Sequence, residues 1–115
     1  MHEISLVRTI FRTLDDNFSP EELERVVAIE LKVGPLANVE PVLLQNAFDA
    51  VVREDEIRFR EAVLRVNMVP ILVQCPDCNQ ITEVHNYRFV CACGKPCGNV
   101  VQGNELLIER VEMRD

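Results

Sequence analysis

Tryptophan is absent from this 115-residue chain, tyrosine occurs once, and aromatic residues make up only 5% of it. A core must therefore be built from Val, Leu and Ile. Basic residues are also in short supply, with twelve against nineteen acidic ones and a formal net charge of -7. An acidic surface repels phosphate, which argues against nucleic acid and anionic membranes as partners. No apolar run approaches the roughly 20 residues of a membrane-spanning helix. Glu3, Arg8 and Arg12 interrupt the first apolar pattern, so no secretory leader is expected and the chain reads as cytoplasmic. Cysteine is missing from the first seventy residues and then occurs five times between Cys75 and Cys97. An odd count in a leaderless chain argues against a disulfide framework and for a thiolate metal site.

Apolar spacing predicts elements for the rest. Ile4, Val7, Ile10, Phe11 and Leu14 make one face of a helix over residues 3–17, which Ser19-Pro20 ends. Alternation of Val27, Ile29, Leu31 and Val33 with Glu30 and Lys32 predicts a strand from Glu24 to Val33, which Gly34-Pro35 ends. A second helix is expected from about Glu40 to Arg53, burying Leu44, Ala47, Phe48 and Val51, with Asn38 as a candidate N-cap. Ala62, Leu64, Val66 and Met68 alternate as a further strand, and Pro70 ends its ladder. Tyr87–Val90 is strand-like. Glu105–Met113 reads as a final strand whose uneven pattern fits either a bulge or two half-buried faces. The expected fold is α+β: a small three-stranded mixed sheet with two helices, plus an inserted four-cysteine zinc module. Residues 1–70 with 103–115 form the body and 71–102 the module. About thirty residues are too few to fold on apolar burial alone, so the module should depend on its metal.

Within that module Cys75-Pro-Asp-Cys78 can bring two thiolates to one ion, and Cys91-Ala-Cys93-Gly-Lys-Pro-Cys97 offers the others. Two facing knuckles suit the tetrahedral preference of Zn(II) and leave no open position, which makes the site structural. Spacing alone leaves open which of the five cysteines stays out; iron bound by four thiolates is the rival metal. His85 reads as an exposed loop histidine, and a thioredoxin-like role for Cys75 and Cys78 lacks the strand-to-helix setting. At the other end, Met1-His2-Glu3 offers a chelate: the α-amine, the backbone nitrogens of His2 or Glu3, and the His2 imidazole. Four nitrogens in a plane suit Ni(II) and Cu(II) and suit Zn(II) poorly. His2 is too bulky for the usual removal of Met1. Protons compete at the amine and imidazole, so affinity should fall as pH drops. By itself, a second-position histidine is most simply incidental.

The pieces taken together resemble the hydrogenase maturation nickel chaperone family (HypA/HybF type). Met1-His2-Glu3 with Ser5-Leu6, Val33-Gly34, Ala47-Phe48, Cys75-Pro-Asp-Cys78, Phe89-Val-Cys91 and Gly103-Asn-Glu105-Leu106 carry the likeness over essentially the whole chain. The resemblance implies a binding protein, not an enzyme, that carries Ni(II) on His2 and holds structural Zn(II). It implies delivery to the large subunit of nickel-iron hydrogenase with a nickel-binding GTPase, and in some organisms service to urease maturation. A homodimer is compatible with it. Cys75, Cys78 and Cys91 match the family's zinc ligands, and Glu3 matches its nickel motif. One departure stands out: the family usually has C-x-x-C in the second knuckle, where this chain has Cys91-Ala-Cys93. Counting back from Gly103 favours Cys93 as the fourth ligand, with Cys97 the substitute for Cys91 or Cys93. The alternative class is a zinc-ribbon adaptor that binds another protein and handles no second metal.

Overall fold

The computed structural model describes the backbone of residues 2–115 and the side chains of residues 3–115. Helix α1 runs His2–Asn17 and a one-turn helix α2 runs Pro20–Leu23, followed by strand β1, Val26–Val33. After a 3-10 turn at Pro35–Ala37 come helix α3, Pro41–Glu54, a second 3-10 turn at Ile57–Phe59, and strand β2, Val63–Met68. Three short strands follow, β3 (Leu72–Gln74), β4 (Ile81–Glu83) and β5 (Val100–Gln102), before β6 (Leu106–Met113) closes the chain. The strands form two three-stranded sheets, ordered β2-β1-β6 and β4-β3-β5. The fold is α+β, as expected from the sequence. Among the described residues no helix is long and apolar enough to cross a membrane.

The chain divides into two compact units, one of residues 1–31, 39–66 and 108–115, the other of 32–38 and 67–107. In the first, α1 packs on α3 and contributes Val7, Ile10, Phe11 and Leu14 to the core. Leu44, Ala47, Phe48 and Val51 of α3 are buried, as their helical spacing predicts. Phe11 joins the layers, stacking on Phe48 at 5.6 Å and meeting Phe59 at 4.9 Å between ring centroids. Strand β1 sits in the middle of its sheet, which explains why it is buried almost throughout rather than on one face. Its Glu30 is buried too, and its Oε2 accepts from Arg110 Nη2 at 3.0 Å and Arg65 Nη1 at 3.3 Å. Charged partners on both neighbouring strands make that burial tolerable.

In the second unit Ile71, Val73, Cys75, Val84, Cys91 and Cys97 form the core, with Leu36, Phe89 and Val100 packed against it. Backbone from two distant parts of the sequence meets there. Gly34 N–H donates to the Glu105 carbonyl and Leu36 N–H to the Gly103 carbonyl, both at 2.8 Å. A Cβ on Gly34 would fall 2.1 Å from the Gly103 carbonyl carbon, so only glycine fits.

Two local expectations need correction. Asn38 does not cap α3; it takes the left-handed conformation (φ 58°) that closes the 3-10 turn, and Glu40 is the N-cap. Tyr87–Val90 is not a strand, because Asn86 and Tyr87 both have positive φ and turn the chain between the bridged pair His85 and Arg88. Ser19 does more than end α1. Its hydroxyl accepts from Glu22 N–H at 3.2 Å while Glu22 Oε1 accepts from Ser19 N–H at 2.9 Å, a reciprocal cap that starts α2.

Candidate metal centre

Strand β3 leads directly into the first knuckle. Ile71, Val73 and Cys75 share a face by the two-residue repeat of a strand, which carries Cys75 into the apolar core of the second unit. Pro76 fixes the next φ and Asn79, at φ 61°, turns the chain back. Two hydrogen bonds close the loop, Asn79 N–H to the Cys75 carbonyl at 2.8 Å and Cys75 N–H to the Gln80 carbonyl at 3.0 Å. The second knuckle repeats the design with one residue fewer. Gly94 N–H donates to the Cys91 carbonyl at 2.8 Å and Cys91 N–H to the Lys95 carbonyl at 2.8 Å. Gly94 provides the left-handed turn, at φ 93°. Thus Cys91-Ala-Cys93 is a contracted version of the same loop.

These two loops bring the sulfurs of Cys75, Cys78, Cys91 and Cys93 within 4.8 Å of one another. Cys78 Sγ lies 3.3 Å from Cys91 Sγ, and Cys75 Sγ 3.9 Å from Cys93 Sγ. Four sulfurs at about 2.3 Å from one tetrahedral ion would stand about 3.8 Å apart, so the cluster has the scale of such a site. The leading cysteine of each knuckle is buried and the trailing one exposed.

Their protonation is linked. The Cys93 N–H, 3.4 Å from Cys91 Sγ, lowers the Cys91 thiol to about 6, helped by the neighbouring Cys78 thiol. Cys78 receives a lowering contribution from the Gln80 amide, yet the crowded sulfurs of Cys91, Cys75 and Cys93 and its desolvation raise it to about 12. The Cys91 thiolate thus favours protonated Cys78, and Cys93 is raised as well, against the lowering pull of the Lys95 amide, by the Cys91 thiol and desolvation. A divalent cation relieves that conflict, because it can replace the protons on all four sulfurs. The donor set therefore fits a metal ion, and Cys97 stands outside it. Its sulfur is buried and donates to the Gln74 carbonyl at 3.3 Å. The His85 side chain is exposed, with Nε2 3.5 Å from Glu83 Oε2.

Two contacts around the cluster were not foreseen in the sequence. Lys95 Nζ reaches Asp77 Oδ2 across the knuckles at 3.1 Å, and Ala92 N–H donates to Thr82 Oγ1 at 3.2 Å. At the other candidate site, Met1 and the His2 side chain lie outside the described residues. Glu3 stands in the first turn of α1.

A family model described as hydrogenase/urease nickel incorporation, metallochaperone, hypA matches residues 1–113. The chain belongs to the HypA family. HypA is a metallochaperone family and not a family of enzymes. A hydrogenase maturation factor HypA from Shewanella oneidensis is 33% identical over 114 residues, covering 98% of this chain and 95% of that relative. One from Desulfitobacterium hafniense is 31% identical over 116 residues and covers both chains completely. The solution structure of the Ni metallochaperone HypA from Helicobacter pylori superimposes with a TM-score of 0.64 at 20% identity, covering 96% of either chain. A second HypA solution structure gives 0.70 at 20% identity, covering 99% of this chain and 97% of that one. At that identity the two structures show a shared fold. This HypA chain thus combines nickel-incorporation ancestry with a four-sulfur metal site.

Proposed function

We propose that this chain carries Ni(II) at its N-terminus and delivers it for assembly of the nickel-iron hydrogenase active site. The observation that carries the reading is the nickel-incorporation family match, which takes in Met1-His2-Glu3 at one end and the cysteine knuckles at the other. In this reading the Met1 amine, the backbone nitrogens of His2 or Glu3 and the His2 imidazole hold the cargo. The first amides of a helix have no intrahelical acceptor, so the Glu3 nitrogen in the first turn of α1 is not committed to the helix ladder. Zn(II) on Cys75, Cys78, Cys91 and Cys93 is a closed cross-link that holds the two knuckles together. Residues 1–70 with 103–115 are then the nickel-binding part and 71–102 the zinc module. The partners are a nickel-binding maturation GTPase and the hydrogenase large subunit, in the cytoplasm, with urease maturation proteins as a second destination.

The test compares untagged wild type with His2→Ala, each titrated with Ni(II) after zinc is measured by elemental analysis. Wild type should take up nickel and lose it in acid, while His2→Ala should lose nickel binding and keep its zinc. Equal uptake by both would overturn the N-terminal site. Zinc without any nickel uptake would favour the adaptor role instead.

A further inference from the structure

The contracted knuckle has a structural consequence that the first knuckle avoids. In the first, the residue after the leading cysteine is Pro76, which has no N–H to place. Its counterpart in the second is Ala92, whose N–H is held by Thr82 Oγ1 at 3.2 Å. Thr82 lies on β4 directly opposite Val73, and opposite residues of an antiparallel pair share a face. That face is otherwise apolar, with Ile71, Val73 and Cys75 on β3 and Val84 next in phase with Thr82. A hydroxyl on such a face needs a partner, and its partner is the first of the two peptides that join the two closest-spaced cysteines.

We propose that Thr82 is a positioning residue for the metal: by holding the Ala92 amide it sets the Cys91–Cys93 loop so that the Cys93 sulfur points at the other three. The inference rests on the reading that these four cysteines bind zinc. Without Thr82, the Ala92 peptide loses its tether to β4 and Cys93 becomes the ligand that detaches first. Cys93 is exposed, so its departure opens the ion to solvent and to a competing chelator. The Lys95–Asp77 pair also ties the knuckles, but both side chains are more than half exposed and the pair adds little.

The experiment follows zinc transfer from the zinc-loaded full chain to the colorimetric chelator pyridylazoresorcinol. Thr82→Val should release zinc about tenfold faster than wild type, in the range of outer-shell metal-site substitutions, and Thr82→Ser should restore the slow rate. In the cobalt-substituted proteins, the visible bands of tetrahedral thiolate-bound Co(II) should be preserved in Thr82→Ser and weakened in Thr82→Val. Ala92→Pro removes the amide itself, so adding Thr82→Val to that background should change nothing further. Release of zinc from Thr82→Val at the wild-type rate would overturn the proposal. So would an equal acceleration with and without Ala92→Pro, since Thr82 would then act through packing alone. If wild type held neither zinc nor cobalt, the zinc reading would fall, and this inference with it. Should Thr82→Val fail to fold, Thr82→Ala removes the same hydroxyl and still decides: it should release zinc about tenfold faster than Thr82→Ser, and release at the Thr82→Ser rate would overturn the proposal.

Discussion

Gly34 and Gly103 show how much a single atom can matter. Two stretches far apart in sequence pass so closely that their backbones hydrogen-bond directly, and the space a Cβ would need on Gly34 is filled by the Gly103 carbonyl. Gly34→Ala should therefore destabilise the second unit by about 3 kcal/mol or more, because the obstacle is backbone and cannot rotate away. Gly98→Ala is the matched control: nothing lies within 4 Å of its added Cβ. Amide hydrogen exchange over residues 67–107 of the zinc-loaded protein should show early exchange in the first variant and near wild-type protection in the second. Gly34 and Gly103 stood among the residues that carried the family likeness, yet only their contact in space explains them. Thr82 is the opposite case. It was overlooked because β4 is three residues long, too short for its alternation to register in the sequence.

At the scale of elements, caps decide where helices begin. The Ser19–Glu22 pair satisfies two amides at the start of α2, whose Leu23 is fully buried. Ser19→Ala should lower stability by about 1 kcal/mol, read as a shift of the denaturation midpoint. Glu22 is held below the usual carboxylate range, first by the Ser19 N–H and then by the Ser19 hydroxyl. A carboxylate with a depressed folded pKa contributes stability above its unfolded value, near about 4.3, and loses that contribution as pH falls through the folded one. The gap between wild type and Ser19→Ala should accordingly narrow in acid. Sequence spacing located α1, α3 and β1 to within a residue or two because each presents a regular run of apolar residues to a core; β2 and β6, mostly half-buried or exposed, were as well placed because Pro70 and Gly103 mark their limits. It placed the cap of α3 wrongly. Asn38 has the favoured cap chemistry, but the 3-10 turn before α3 uses it for a left-handed closure and leaves the cap to Glu40. The short strands of the second sheet were unreadable for a related reason: three residues carry too little periodicity to distinguish from a loop.

Across the whole molecule, charge and stability are divided unequally. Residues of the first unit include nine basic and sixteen acidic side chains, and those of the second include three of each. The full formal charge of -7 thus belongs to the unit built on α1 and α3, whose larger, mostly aliphatic core can withstand the self-repulsion. In the second unit three of the six buried core residues are cysteines, two of them from the four-sulfur cluster. Such a core cannot hold the unit together by apolar burial alone. Stripping the metal from the full chain with a strong chelator should therefore collapse amide protection over residues 67–107 while α1 and α3 stay protected. Unchanged protection of the cysteine unit would show that its metal is dispensable for folding.

The amino-acid sequence by itself determined the α+β class, the long elements, the two candidate metal motifs and the family to which they belong. These depend on periodicity and on residue chemistry at fixed spacing, both local properties of the chain. Spacing left the fourth cysteine open and the family resemblance favoured Cys93; the tertiary structure brings Cys75, Cys78, Cys91 and Cys93 together. Knuckle spacing does not separate Cys93 from Cys97, but the loop closed at Gly94 turns Cys93 toward the cluster, while Cys97 is drawn into the core against Gln74. Tertiary structure alone decided the roles of Gly34, Thr82 and Glu40, since each depends on a partner that folding brings near.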